Sequence, residues 1–469
     1  MLPMSRQPNI VLCICDQLRP FEVGCYGNPV IRTPNLDALA ADGTRFEHAV
    51  SNNPVCMPAR SILLSGQYSR TCTGSLVNRV ELDAQGKPYM PERPLPQRNA
   101  FRNATLMEEL RARDYRTALI GKWHIDAAPE LLGFDHALYP FVYHRHTGQT
   151  FIETGRPDRV VEGFSVEFEA DRVARYLREQ DGKKPFFLYY SISPPHMPLM
   201  DAPEKYLKMY APADVPLREN VRVNGRLPYD ENWFKIYMWD FLHYKENLAP
   251  KALPEGFDLR AMTALYYGMT TWVDDMVGRL MAELEATGLA RDTIVVFLSD
   301  HGDILGSHHQ FNKGRLIEES IRIPMIFRGP GAAPARVNHA QVASIVDVMP
   351  TLLEMAGAQV PAHAQGSSLA PVLAGAQEQL ACADAFIETQ KGTVGLRTPT
   401  HLYGVQLDKA RRRIEDDRFC FYDLRADPYE YSDLARTGEQ AELAADLRAR
   451  LRDWNERTRW MGADGGEQR

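Results

Sequence analysis

The sequence predicts an α/β fold: a large, mostly parallel β-sheet flanked by helices over residues 1–375, then a small C-terminal α+β subdomain over 376–469. Three observations lead there. Short β-rich apolar runs recur without polar alternation, as expected of strands buried on both faces. Helix-period stretches with start and stop signals lie between them. After "QGSSLAPVLAG" the strands weaken, as in "HLYGVQL", and an amphipathic stretch, "QAELAADLRARLRDWNERTRW", closes the chain.

The first apolar run is "NIVLCIC" (9–15). A helix follows in "TPNLDALAADG", with Thr33 and Pro34 at its start and Gly43 just past its end. The helical stretch "ATLMEELRARD" precedes the run "RTALIG" (116–121), and "EADRVARYLREQDG" precedes "PFFLYYSI" (185–192). A long helix, "LRAMTALYYGMTTWVDDMVGRLMAELEATG", leads to "TIVVFLS" (293–299), and "IPMIFR" (323–328) reads as a fifth buried parallel strand. Residues 200–258 interleave Pro, Tyr, Trp and Asn without a period and read as a long surface excursion, a kind of segment that is often functional.

An apolar content of 44% and a charged content of 25% are those of an ordinary globular protein. The net charge of −7 gives no general reason to expect nucleic acid, so any anion site must be built locally. Seven cysteines without metal-finger spacing indicate neither a disulfide framework nor a structural zinc. The N-terminal apolar run meets Asp16 too soon for a signal peptide or a membrane span, so a cytoplasmic setting with reduced thiols and no membrane partner is expected.

Polar residues collect where the strands end. The first run ends in Asp16-Gln17, the second in "GKWH" with Lys122 and His124, the third leads to His196 in "SPPH", and the fourth to Asp300 and His301 in "DHGD", with Lys313 a loop later. Ligand sites of open α/β sheets lie at the carboxyl ends of strands. Each tip alone reads better as a turn or a cap; four together point to one site. Asp16, Gln17 and Asp300 offer hard oxygens suited to Ca²⁺ or Mg²⁺, and the His301 nitrogen leaves Mn²⁺ open.

Cys56 stands in "NNPVCMPARSILLSG". Pro58 is placed for a first helical turn, which would make Cys56 the flank of a helix N-terminus, where N–H groups and dipole attract anions. Arg60 adds a fixed positive charge. A nucleophile there would face an anionic substrate; the alternative is a buried structural thiol.

With these residues in view, "CMPARSILLSG" resembles the sulfatase signature. "PNIVLCICDQ", "TALIGKWH", "VVFLSDHGDILGSHHQFNKG", "EESIRIPMIFRGPG" and "FYDLRADPYEYSDLA" resemble further sulfatase blocks in the family's order, from near residue 8 to near residue 435. The resemblance implies an alkaline-phosphatase-like fold whose C-terminal subdomain carries an antiparallel sheet. It implies hydrolysis of aryl, sugar or other small sulfate monoesters to alcohol and inorganic sulfate. It also implies that a separate maturation enzyme oxidises Cys56 to formylglycine, an aldehyde that hydrates. One hydroxyl of the hydrate attacks sulfur and displaces the alcohol; loss of a proton from the other expels sulfate and restores the aldehyde.

Carried over residue by residue, Asp16, Gln17, Asp300, His301 and the modified Cys56 would bind one divalent metal ion, Ca²⁺ first, with Mn²⁺ or Mg²⁺ as alternatives. Arg60 and Lys122 would hold the hydrate, and His124 would take the proton as sulfate leaves. Lys122, Lys313 and His196 would bind the sulfate, with His196 as proton donor to the leaving alcohol and Asn78 as a further contact. Tyr143, His144, Arg145, His146 and Trp233 are candidates for touching the rest of the substrate, with ordinary loop packing as the other reading of each; His308 and His309 are candidate ligands beside the cluster, with a solvated loop pair as the other reading.

Two positions depart from the commonest family pattern. Gln17 stands where a second Asp is usual, and His301 where Asn often stands, so the site carries one negative charge fewer. The same choices resemble the phosphonate monoester hydrolase and phosphodiesterase branch, the alternative function on the same nucleophile. "GKWH" is the sulfatase form, and Lys122 suits a terminal sulfate with three free oxygens.

Overall fold

The computed structural model describes residues 7–86, 88–91, 93–98, 101–141, 144–239, 252–408 and 413–461. Ten strands form the main sheet: β1 (Asn9–Asp16), β2 (Gly43–Val50), β3 (Arg116–Gly121), β4 (His136–Pro140), β5 (Thr147–Glu153), β6 (Arg159–Phe164), β7 (Phe186–Pro195), β8 (Thr293–Ser299), β9 (Met325–Arg328) and β10 (Arg336–Ser344). Their spatial order is β10-β2-β9-β8-β1-β7-β3-β4-β5-β6. The central five, β8-β1-β7-β3-β4, are parallel throughout. A separate antiparallel sheet is built from β11 (Ala385–Glu388), β12 (Thr393–Arg397), β13 (His401–Leu407) and β14 (Ile414–Asp423).

The unalternated run of β1 is explained by burial on both sides. Ile10, Leu12 and Ile14 face one apolar core, shared with Ile62 and Leu63 of the helix α1 (Cys56–Ser65). Val11, Cys13 and Cys15 face the other, shared with Met269, Trp272 and Val273 of the long helix α2 (Leu259–Ala286). Burial of each such aliphatic or aromatic side chain contributes about 1.5–3 kcal/mol before conformational entropy is counted. α1 stops at Gly66, whose φ of 63° gives the left-handed cap. Among the described residues no helix is long and apolar enough to cross a membrane.

Three sequence expectations are corrected. The run at 323–328 is a strand only over Met325–Arg328, and it lies antiparallel to β8, because an apolar run encodes burial and not direction. β2, β10 and the run β4–β6 at one end of the sheet were not anticipated; several of them alternate or carry polar residues. Cys56 is the first residue of α1 rather than its flank, since Val55 holds the extended cap position and Pro58 still falls where an N–H has no helical partner.

Candidate active site

β8, β1, β7 and β3 are neighbours running the same way, so their carboxyl ends form one row. That row delivers Asp300 and His301 after β8, Asp16 and Gln17 at the tip of β1, His196 after β7, and Lys122 and His124 after β3. Gly121 has a φ of +102°, and a Cβ there would lie 2.1 Å from the Ser191 carbonyl oxygen; glycine alone allows the close turn that sends Lys122 inward. Gln17 itself has a φ of 66°. Its backbone is pinned on both sides: its N–H donates to Asp300 Oδ1 at 3.1 Å and its carbonyl accepts from the Tyr266 hydroxyl at 2.5 Å. Such a conformation for a non-glycine residue persists only when its surroundings enforce it.

α1 presents Cys56 and, one turn on, Arg60 to this row. Cys56 Sγ lies 3.2 Å from His301 Nε2 and 2.8 Å from Lys313 Nζ. Arg60 donates to Asp300 Oδ2 at 2.9 Å, Asp16 Oδ2 at 3.2 Å and Ser191 Oγ at 2.8 Å. Lys122 Nζ is hydrogen-bonded to Asp16 Oδ2, and Lys313 donates to Gln17 Oε1 at 2.9 Å. Asp16, Lys122, Asp300 and His301 have no exposed surface; Lys313 is the partly exposed member.

Electrostatics sort these groups. Burial works against the Asp16 carboxylate, but the Lys122, Lys313 and Arg60 charges together hold its pKa well below the usual range. Burial and Asp16 push the Cys56 thiol up to about 11 despite Lys313. Burial and the positive charge of Lys122 keep His124 neutral, and burial with Lys313 does the same for His196. His301 is lowered to about 4, mainly by burial.

The donor set suits a divalent metal. Ligand atoms of Asp16, Cys56, Asp300 and His301 all lie within 4.8 Å of one another. His301 Nδ1 sits 2.8 Å from the Gly302 carbonyl oxygen, so it carries the proton and leaves Nε2 bare toward the cluster. Gln17 turns its amide the right way round: Nε2 donates to Asp303 Oδ2 at 2.7 Å, which leaves Oε1 on the site side.

Sequence reasoning missed Asp303, although it closes the "DHGD" stretch. It also missed Tyr237, which donates to Asp303 from the excursion, and the Arg60 partner Ser191. Nothing local marks Tyr237, since its partner lies 66 positions away. Asn78 sits beside the site but its Oδ1 accepts the Met57 N–H at 3.0 Å, capping α1. Trp233 does not join the cluster; it stacks on Phe311 with centroids 6.2 Å apart. His308 bonds Asn220 and His309 bonds the 223–226 turn, and neither contacts Cys56. Tyr143 lies outside the described residues, as do 240–251 of the excursion.

Comparison with known proteins agrees with this geometry. The family model described as Sulfatase matches residues 8–358, and that of the N-sulphoglucosamine sulphohydrolase C-terminal region matches 306–457. The chain is 29% identical to an ulvan-active sulfatase of Formosa agariphila, over 95% of this chain and 80% of that protein. The structure of BT4656 in complex with its substrate D-glucosamine-2-N,6-O-disulfate superposes with a TM-score of 0.79 at 25% identity, over 97% of this chain and 98% of the other. The phosphonate monoester hydrolase of Agrobacterium radiobacter shares the fold, with a TM-score of 0.72 at 24% identity over 96% of each chain. A cysteine at a helix start, buried carboxylates and a buried lysine at strand tips, and a family match over most of the chain lead to one statement: the chain belongs to the sulfatase family, hydrolases of sulfate esters.

Proposed function

We propose that this sulfatase cleaves small sulfate monoesters, sugar sulfates foremost, with a nucleophile made from Cys56. The observation that carries the reading is the convergence of Lys313, His301 and Asp16 on the Cys56 sulfur, at 2.8, 3.2 and 3.7 Å. As a thiol, Cys56 is held protonated by burial. As a hydrated aldehyde it would present two hydroxyls at the same point. Because Cys56 has no exposed surface, a maturation enzyme must meet the 52–66 segment before the fold closes over it.

A divalent ion, Ca²⁺ by the hardness of its oxygen donors, would be held by Asp16, Gln17, Asp300, His301 and the modified Cys56. Bound there, it supplies Lewis acidity to the nucleophile and the sulfate. The protein's own groups do the rest. Arg60 pairs with Asp16 and Asp300 and stiffens both carboxylates. Lys122 and Lys313 supply N–H groups to the sulfate oxygens as charge redistributes. His196 donates its Nδ1 proton to the Met197 carbonyl oxygen, 2.7 Å away, leaving Nε2 for the leaving oxygen. Burial and Lys313 keep that ring neutral in the free site. An incoming sulfate anion favours its protonated form, which then gives a proton to the departing alcohol. His124, neutral beside Lys122, accepts the proton lost from the second hydroxyl as sulfate leaves.

Gln17 and His301 favour a second reading, a phosphonate monoester or phosphodiester hydrolase on the same nucleophile. Specificity constants for matched aryl sulfate and aryl phosphonate esters decide between them. A preference for the sulfate supports the first reading; a large preference for the phosphonate overturns it.

A further inference from the structure

The segment joining β4 to β5 carries a buried imidazole that none of these roles uses. His144 is 3% exposed. Its Nδ1 lies 3.2 Å from Lys122 Nζ. An ammonium only donates, so Nδ1 accepts and the ring proton sits on Nε2. The ring is stacked on that of His196, centroids 3.9 Å apart and planes 16° from parallel, and stands edge-on to His124 at 5.7 Å.

This placement is clamped from the other side. Asp201, five residues beyond His196, accepts the backbone N–H of His146 at 2.6 Å and that of Thr147 at 3.2 Å. Its second oxygen accepts the Thr147 hydroxyl at 2.8 Å. One carboxylate thus ties the segment bearing His144 to the segment bearing His196. The Ser165 N–H, at 2.6 Å from the His146 carbonyl oxygen, adds a fourth hydrogen bond.

We infer that His144 is a positioning residue for sulfate-ester cleavage, orienting the Lys122 ammonium through Nδ1 and the His196 ring through the stack. The inference rests on the roles proposed for Lys122 and His196. Lys122 has three N–H bonds; with Asp16 and His144 taking two, the third has one direction left, into the site. Without His144 the ammonium is free to turn about its stem and rest on Asp16 alone. His196 is fixed at one point by the Met197 carbonyl, and the stack fixes its plane; the two together aim Nε2. Proton donation matters more as the leaving oxygen becomes more basic, so a misaimed His196 shows in leaving-group dependence before it shows in binding.

Two variants separate the two contacts. His144→Phe keeps a ring for the stack and loses the acceptor; His144→Asn keeps a polar acceptor and loses the ring. The assay is kcat and KM over aryl sulfates of decreasing phenol acidity, with melting temperature and metal content measured for each preparation. In His144→Asn, kcat is expected to fall by roughly tenfold or more on the least acidic phenol and to change little on the most acidic one. In His144→Phe, the loss is of similar size across the whole series. Asp201→Ala reproduces the leaving-group dependence of His144→Asn in weaker form. Wild-type kcat throughout the series in both variants overturns the inference. So does an equal, uniform loss in both that follows melting temperature. Lys122→Ala and His196→Ala serve as references: if they keep sulfate release, the proposed roles and this inference fall together. If they lose it while the His144 variants do not, this inference alone falls.

Discussion

Replacing Asp303 by Asn should reverse the amide of Gln17. Asp303 is fully buried and uses its oxygens separately. Oδ1 accepts from the Tyr237 hydroxyl and from Leu305 N–H at 2.9 Å; Oδ2 accepts from Gln17 Nε2 at 2.7 Å. In the variant, the two donors on the Oδ1 side demand the carbonyl oxygen, so the new NH₂ faces the NH₂ of Gln17. Two donors cannot bond. If Gln17 stays, two buried N–H groups face each other, at about 1–3 kcal/mol. If it turns over, its NH₂ points at Lys313 Nζ, now 2.9 Å from Oε1, and the metal donor proposed at Gln17 is lost. Loss of an orienting partner of this kind weakens metal binding by roughly 10–100-fold, or about 1.4–2.7 kcal/mol. Chelator competition on wild-type and Asp303→Asn protein reads that change directly, with the metal-free melting temperature as the folding control. Burial raises the Asp303 pKa against the pull of Tyr237 and Gln17. Unchanged metal affinity would mean that Asp303 is itself protonated and already a donor to Gln17, which would refute an amide whose Oε1 is turned toward the metal.

Other perturbations have equally definite outcomes. Glu318, paired with Arg397 of β12 at 2.9 Å, has its pKa lowered to about 2 because the nearby arginines outweigh burial. A depressed carboxylate contributes stability above its unfolded pKa, here about 3 kcal/mol, and loses it as pH falls from about 4.5 to 2. Glu318→Gln should therefore destabilise the protein at neutral pH and flatten acid unfolding in that window, measured by urea titration at several pH values. Gly121→Ala should lower stability by about 1–3 kcal/mol and cut kcat, because a φ of +102° and the 2.1 Å approach to the Ser191 oxygen both oppose a Cβ; a variant as stable and active as wild type contradicts the turn's role in aiming Lys122. With His301 lowered to about 4, proton competition at that ligand should be absent near neutral pH and should weaken metal binding only in the acid range, as metal titrations at graded pH will show.

The residues that could be read from sequence are those at strand tips. A strand's end sets where the next side chain emerges, so Asp16, Lys122, His196 and Asp300 were legible once the runs before them were. Cys56 and Arg60 were legible from helix spacing, with an error of one position because proline is tolerated throughout the first turn. Strand direction was not legible for Met325–Arg328, since both directions bury the same residues. Nor were groups whose partners are fixed by tertiary packing. Tyr237 and Asp303 meet only because the excursion folds back over the site, and Trp233, four residues from Tyr237, spends its ring on Phe311. In sequence His144 read as either a substrate contact or ordinary loop packing; its neighbours in space are Lys122 and His196.

The central claim is that a converted Cys56 is the nucleophile. Conversion replaces the thiol-bearing carbon by an aldehyde, so the chain loses one sulfur and two hydrogens and gains one oxygen. Preparations made with graded amounts of a maturation enzyme can be weighed intact and assayed for inorganic sulfate released from a single aryl sulfate. Activity should rise in proportion to the converted fraction and extrapolate to zero for the unmodified chain. Sulfate release at full rate by protein whose mass shows an intact cysteine would contradict the account.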